Sequence, residues 1–92
     1  MKKVLLWVIV GTKGGYNRAR IIKALHDRPL NNNQLHNQLN LNYKTVNHHL
    51  NVLEKMGVIT SLGENYGKLF LLSDNMEDNY GEFEEIWKQI KK

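Results

Sequence analysis

Apolar and polar positions change rhythm several times along the chain, and each rhythm predicts an element. Residues 4–10 form an unbroken apolar run, VLLWVIV, behind two lysines. A run this short has no diagnostic period, so helix and strand both remain open, with Leu5, Leu6 and Trp7 favouring helix. It is far below the roughly 20 apolar residues of a membrane span, and GTKGG follows it instead of a small-residue cleavage site. A buried first element is therefore expected, apolar enough on all sides to meet both its own domain and a second subunit. The glycines at 11–15 predict a sharp reversal. Over Tyr16 to Asp27, Ile21, Ile22 and Leu25 recur at helical spacing, and Arg28-Pro29 ends the helix because the residue before proline is pushed out of the helical region.

Residues 31–57 dominate the chain. Leu30 and the asparagines open a short helix, capped by Asn31 with Gln34 at capping-box spacing or by Asn32 or Asn33 instead, with Leu35 and Leu39 one turn apart. Asn40 occupies a tight turn, where asparagine tolerates the left-handed conformation. Leu41 plugs the turn into the core, and Asn42 is placed to cap the following helix. Wound at about 100° per residue, that helix puts Val46, His49, Leu50, Leu53 and Met56 on one arc. Lys44, Asn47, His48, Asn51 and Lys55 fall on the opposite arc, all able to donate hydrogen bonds, with Glu54 at the margin. Gly57 stops the helix. Residues 58–62 and 69–72 read as antiparallel strands joined by GENYGK. Met76, Tyr80, Phe83, Trp87 and Ile90 then step by 4, 3, 4 and 3, a narrow seam predicting one last helix over 74–91. The expected fold is mainly α with a small β-hairpin: a winged helix-turn-helix (31–57), its wing (58–72) and an added C-terminal helix, in a single domain.

Charge sharpens this picture. The net charge is +4, but residues 1–72 hold ten Lys/Arg against three acids (+7), while 73–92 hold six acids against three lysines (−3). A polyanion should thus meet the body and not the tail. The absence of cysteine excludes disulfides, thiolate metal sites and thiol redox sensing. His26, His36, His48 and His49 lack ligand spacing, and no HExxH occurs, so no metal is expected. His49, on the buried arc, reads as a structural histidine. Without a nucleophile context, paired carboxylates or a cofactor motif, neither an enzyme nor a bound cofactor is expected.

The stretch LNYKTVNHHLNVLEKMGVI resembles the recognition-helix pattern of ArsR-like winged-helix regulators, in Thr45-Val46, His49-Leu50, Leu53 and Gly57-Val58-Ile59. GTKGGYNRARII resembles a branch of that family common in archaea. The resemblance implies a dimeric, sequence-specific DNA-binding regulator, a repressor or an activator, and the lack of cysteine departs from the metal-sensing members.

On that reading Lys44, Asn47, His48 and Asn51 are candidates for the major groove, since asparagine can read adenine N6/N7 and lysine guanine O6/N7. Tyr43 and Thr45, in the first turn, are candidates for phosphate contact. Tyr66 and Lys68 would place the wing on the backbone or in a minor groove, with Glu64 weakening that contact. Arg18, Arg20 and Lys13 are either phosphate contacts or ordinary surface charge. Leu5, Trp7 and Val8, with Tyr80, Phe83, Trp87 and Ile90, are the candidate homodimer interface. The expected partners are duplex DNA and a second copy, in the cytoplasm and away from the membrane. The competing class is a winged-helix module that binds protein inside a larger complex.

Overall fold

The computed structural model describes residues 1–64 and 67–90. The apolar N-terminus is helical: α1 (Lys2–Leu5) runs directly into a π-helical segment over Leu6–Val10. Its last turn is wide, with the Gly11 amide donating to the Leu6 carbonyl at 2.9 Å. Leu5, Val8 and Ile9 are buried, while Leu6, Trp7 and Val10 remain exposed. Gly14 (φ 86°) reverses the chain into α2 (Gly15–Asp27), which buries Ala19, Ile21, Ile22, Ala24 and Leu25. The reversal is so tight that a Cβ on Gly15 would lie 1.6 Å from the Ile9 carbonyl oxygen. Arg28 is extended, as the following proline requires.

Leu30 does not open a helix, contrary to its predicted place. It forms a β-bridge to Phe70, exchanging backbone hydrogen bonds at 3.1 and 2.8 Å. The apolar side chain is thereby buried beside the hairpin. The helix starts two residues later: α3 (Asn32–Leu39) carries the full capping box, with Gln34 N donating to Asn31 Oδ1 at 2.7 Å and Asn31 N to Gln34 Oε1 at 2.9 Å. Asn40 adopts the left-handed conformation (φ 56°, ψ 47°). Asn42 then caps α4 (Tyr43–Lys55), accepting from Lys44 N at 2.8 Å and Thr45 N at 3.4 Å. Gly57 (φ 79°) closes α4 in a Schellman motif, where Val58 N reaches Leu53 O and Gly57 N reaches Glu54 O.

Strands β1 (Ile59–Leu62) and β2 (Leu69–Leu72) pair antiparallel, from Ile59 opposite Leu72 to Leu62 opposite Leu69. A mainly helical chain with this two-stranded wing is the winged helix-turn-helix order.

The predicted single helix over 74–91 is divided within the described residues. Ser73 caps α5 (Asp74–Asp78), and α6 (Tyr80–Ile90) follows after a break at Asn79. The Asn79 side chain bonds back to the Asn75 carbonyl at 2.8 Å and to Asn75 Oδ1 at 2.9 Å, offering the backbone an alternative to helix. The aromatic seam also turns inward. Met76 and Phe83 are buried in the core, Tyr80 stacks flat on His26 at 3.6 Å, and Trp87 stacks on Tyr16 at 5.6 Å. Leu5, Val8 and Phe83 are therefore packed inside this chain and are not available to a second subunit. Tyr80 and Trp87 are half-buried by these same contacts, and Ile90 is half-buried too. Of the candidate interface, Trp7 alone is exposed, beside the exposed Leu6 and Val10, which lie outside that set.

Two glycines give opposite expectations. Gly15→Ala should lose more than about 3 kcal/mol or fail to fold, because backbone must move to admit the methyl group. Gly81, in α6, has open space where its Cβ would lie. Gly81→Ala should gain a few tenths to about 1 kcal/mol from helix propensity. Urea midpoints of the two variants check both signs.

Candidate nucleic-acid interface

Helix α4 is held from one side and open on the other. Its inner arc of Val46, His49, Leu50 and Leu53 is buried. Tyr43, Lys44, Thr45, Asn47, His48, Asn51 and Lys55 are all exposed. Between this outer arc, the start of α3 and β2 lies a groove of about 620 Å³, lined by Asn31, Asn32, Asn33, Tyr43, Asn47, Asn51, Lys68 and Phe70. Amide groups and one ammonium thus face a shared concavity, a surface that can donate and accept but carries no carboxylate in its lining.

The wing is fastened to α4 at its base. Ser61 Oγ donates to Glu54 Oε2 at 2.7 Å, and Lys68 Nζ lies 3.9 Å from Glu54 Oε1 and 5.4 Å from the centre of the Phe70 ring. Glu54, at the margin of the donor arc, is thus a strut to the hairpin. Being partly exposed, its pairing with Lys68 contributes little energy, but it draws the lysine towards the helix. Tyr66, the other wing candidate, lies outside the described residues.

Arg18 and Arg20 are corrected by burial and by bonding. Arg18 is 3% exposed. Its Nε donates to Val8 O at 2.7 Å and its Nη2 to Lys13 O at 2.8 Å and to Thr12 Oγ1. Its Nη1 meets His49 Nδ1 at 3.3 Å. Thr12 Oγ1 in turn bonds Trp7 O at 3.0 Å, so two of the carbonyls left open at the end of the first helix, Trp7 and Val8, gain partners. Arg20 is half-buried, spending Nη2 on Leu39 O at 2.7 Å and Nη1 on Asn17 Oδ1 at 3.1 Å. It ties α2 to the end of α3. Both guanidinium groups are structural ties, and burial withholds that of Arg18 from phosphate. The signal for Arg18 was in its spacing, since it precedes Ile21, Ile22 and Leu25 by three, four and seven residues and shares their buried face. Asn32 was missed likewise, lying three and seven residues before Leu35 and Leu39.

Burial, more than the cation beside it, governs His49. Burial first, then the Arg18 charge and that of His48, push the His49 imidazole down to about 4 from its ordinary 6.5. Neutral at physiological pH, the ring keeps Nδ1 free to accept from Arg18. The other histidines are dispersed: His26 pairs with Glu77 at 2.9 Å, and His36 Nδ1 lies 3.3 Å from Leu41 O. Among the described residues, no group of three or more His, Asp or Glu side chains is placed to hold a metal ion.

The family model described as bacterial regulatory protein, arsR family, matches residues 16–61, from α2 through most of β1. Among solved structures, reduced HlyU from Vibrio cholerae N16961 superposes with a TM-score of 0.71 at 21% identity, covering 99% of this chain and 90% of that one. A second structure, HlyU from Vibrio cholerae N16961, gives 0.64 at 20% identity, covering 99% and 94%. Both likenesses concern the fold. No curated protein matches the sequence.

A depressed folded-state pKa gives His49 a definite pH signature. Its neutral form is favoured by folding, so its contribution is complete above pH 6.5 and is lost as pH falls towards 4. The loss should approach about 3 kcal/mol over that window. Urea midpoints of wild type and His49→Gln from pH 7 to 4 measure it as the difference between two slopes. Parallel slopes would contradict the assignment.

Proposed function

This chain belongs to the arsR family of bacterial regulatory proteins, and we propose that it is a sequence-specific repressor that reads duplex DNA as a homodimer. DNA-binding regulation of transcription is what the family does; it is a family of regulators, not of enzymes. The observation that carries the finer reading is the outer arc of α4, where five donor-bearing side chains stand exposed while the inner arc is locked into the core. In this reading Lys44, Asn47, His48 and Asn51 meet base edges. Tyr43 and Thr45 contact phosphate beside the helix N-terminus, and Lys68 follows the backbone from the wing.

Homodimerisation is supported by the apolar strip Leu6, Trp7 and Val10, which are 41, 48 and 56% exposed. These residues flank the buried Leu5, Val8 and Ile9, so a second copy would cover what the fold leaves open. Two subunits bring two recognition helices to two half-sites. Repression follows from occupancy of a promoter by such a dimer. The segment GTKGGYNRARII supports placement in the archaeal-type branch. Among the described residues no helix is long and apolar enough to cross a membrane, and we place the protein with its DNA, in the cytoplasm. The competing protein-interaction reading draws on Leu62 and Leu69, exposed and paired across the wing. It requires tolerance of changes at Lys44 and His48.

Selection from random duplex DNA at two salt concentrations tests the proposal. A pseudo-palindrome with half-sites about one helical turn apart is expected, with affinity falling steeply as salt rises. Sequence-indifferent binding would defeat it. Asn47→Ala should cost about 1–3 kcal/mol on the selected site and relax one base pair. Trp7→Asp should sediment as a monomer and bind the full operator on the order of 100-fold more weakly. A dimeric Trp7→Asp protein would remove the N-terminal strip from the interface.

A further inference from the structure

Asn32 opens α3 yet is only 8% exposed. Its Nδ2 donates to Asn47 Oδ1 on α4 at 3.3 Å. Its own Oδ1 is buried without a hydrogen-bond partner among the described residues. The reverse amide orientation would be worse, orphaning an amino group with two N–H donors in place of one carbonyl oxygen. A leucine here would bury more cheaply, so the amide pair is better explained by what it does to Asn47 than by stability.

An unconstrained asparagine presents a donor and an acceptor side by side, the complement of adenine N7 and N6. In Asn47 the acceptor is already turned to Asn32, and the amino group is the free end. That group carries two hydrogens. Guanine offers two adjacent acceptors, N7 and O6, whereas adenine sets an amino donor beside its N7.

We infer that Asn32 is a positioning residue that holds the Asn47 amide as a donor, so that Asn47 selects guanine over the adenine a free asparagine would take. The inference rests on the DNA-reading role proposed for α4.

The test compares operators selected by wild type, Asn47→Ala and Asn32→Ala. The base pair at which Asn47→Ala loses its preference is the one Asn47 reads, and it should hold guanine in the wild-type operator. Asn32→Ala frees the amide, so preference at that base pair should move to adenine, by about tenfold in relative affinity. The other operator positions should keep their preferences. Should Asn32→Ala fail to fold, Asn32→Ser, too short to reach Asn47, carries the same expectation. A second readout needs no DNA: in free ¹⁵N-labelled protein, the Asn32 side-chain amide protons should exchange slowly, and the Asn47 side-chain resonances should shift in the Asn32 variant. Adenine at this base pair in the wild type, or guanine kept in the variant, overturns the inference and leaves the DNA-reading role intact. Unchanged Asn47 resonances overturn the clamp itself. A wild-type protein that selects no sequence overturns the DNA-reading role, and the base assignment with it.

Discussion

A buried guanidinium with no carboxylate beside it among the described residues has to be satisfied by neutral acceptors, and Arg18 collects them from three parts of the chain. It takes carbonyls from the end of the first helix and the following loop, a hydroxyl from Thr12, and an imidazole from α4. Removing any of them would leave a desolvated charge underbonded, which costs far more than an ordinary hydrogen bond contributes. The arrangement also dictates its neighbours. His49 must stay neutral to accept. A Cβ on Gly14 would come within 2.6 Å of the His49 ring, and one on Gly15 would meet the backbone of Ile9. Gly14 and Gly15 thus serve close packing around one charge, where a glycine-rich loop could otherwise be taken for a phosphate cradle.

The consequence reaches the proposed DNA face through one helix. His49 and His48 are adjacent and project about 100° apart on α4, so His49 is buried against Arg18 while His48 is exposed. Anchoring the inner arc in this way sets the roll of the helix, and the roll decides which side chains stand outside. Asn42 fixes where the helix begins, Gly57 fixes where it ends, and the Glu54–Ser61 bond fixes the hairpin against it. Recognition demands placement to well under a side-chain length, and rigid supporting contacts are the means of achieving it.

Much of this was legible in the sequence because local chemistry has local causes. The capping box at Asn31, the left-handed Asn40, the cap at Asn42 and the stop at Gly57 each depend on a few neighbouring residues. Period separates the two arcs of α4 without any tertiary information. What was not legible depends on partners distant in the chain. Leu30 looks like the start of a helix until Phe70, forty positions on, offers it a backbone pair. Arg18 and Arg20 count as surface charge until burial and carbonyl acceptors claim them. The heptad seam of 76–90 is real as a spacing, but spacing cannot say whether the covering surface is another copy or the protein's own α2. Here His26 and Tyr16 of that helix reach it first.

That internal cover changes where the proposed dimer would form. An apolar helix surface needs a partner, but only the part left uncovered can recruit one. With Phe83 and Ile86 of α6 and Met76 of α5 buried internally, the C-terminal helices turn their apolar face to holding the domain together. The N-terminal helix divides its surface differently. Leu5, Val8 and Ile9 go inward, and Leu6, Trp7 and Val10 stay outside, because a run apolar on every side cannot hide completely against one neighbour. Its C-terminal carbonyls are meanwhile bound by Thr12 and Arg18, the same cluster that orients α4. A subunit contact made through this helix would therefore bear on the Arg18–His49 junction, and through it on the roll of the recognition helix. In a dimer so built, the spacing of the two reading faces is set by a continuous series of bonded groups, from interface to operator, with no mobile linker between.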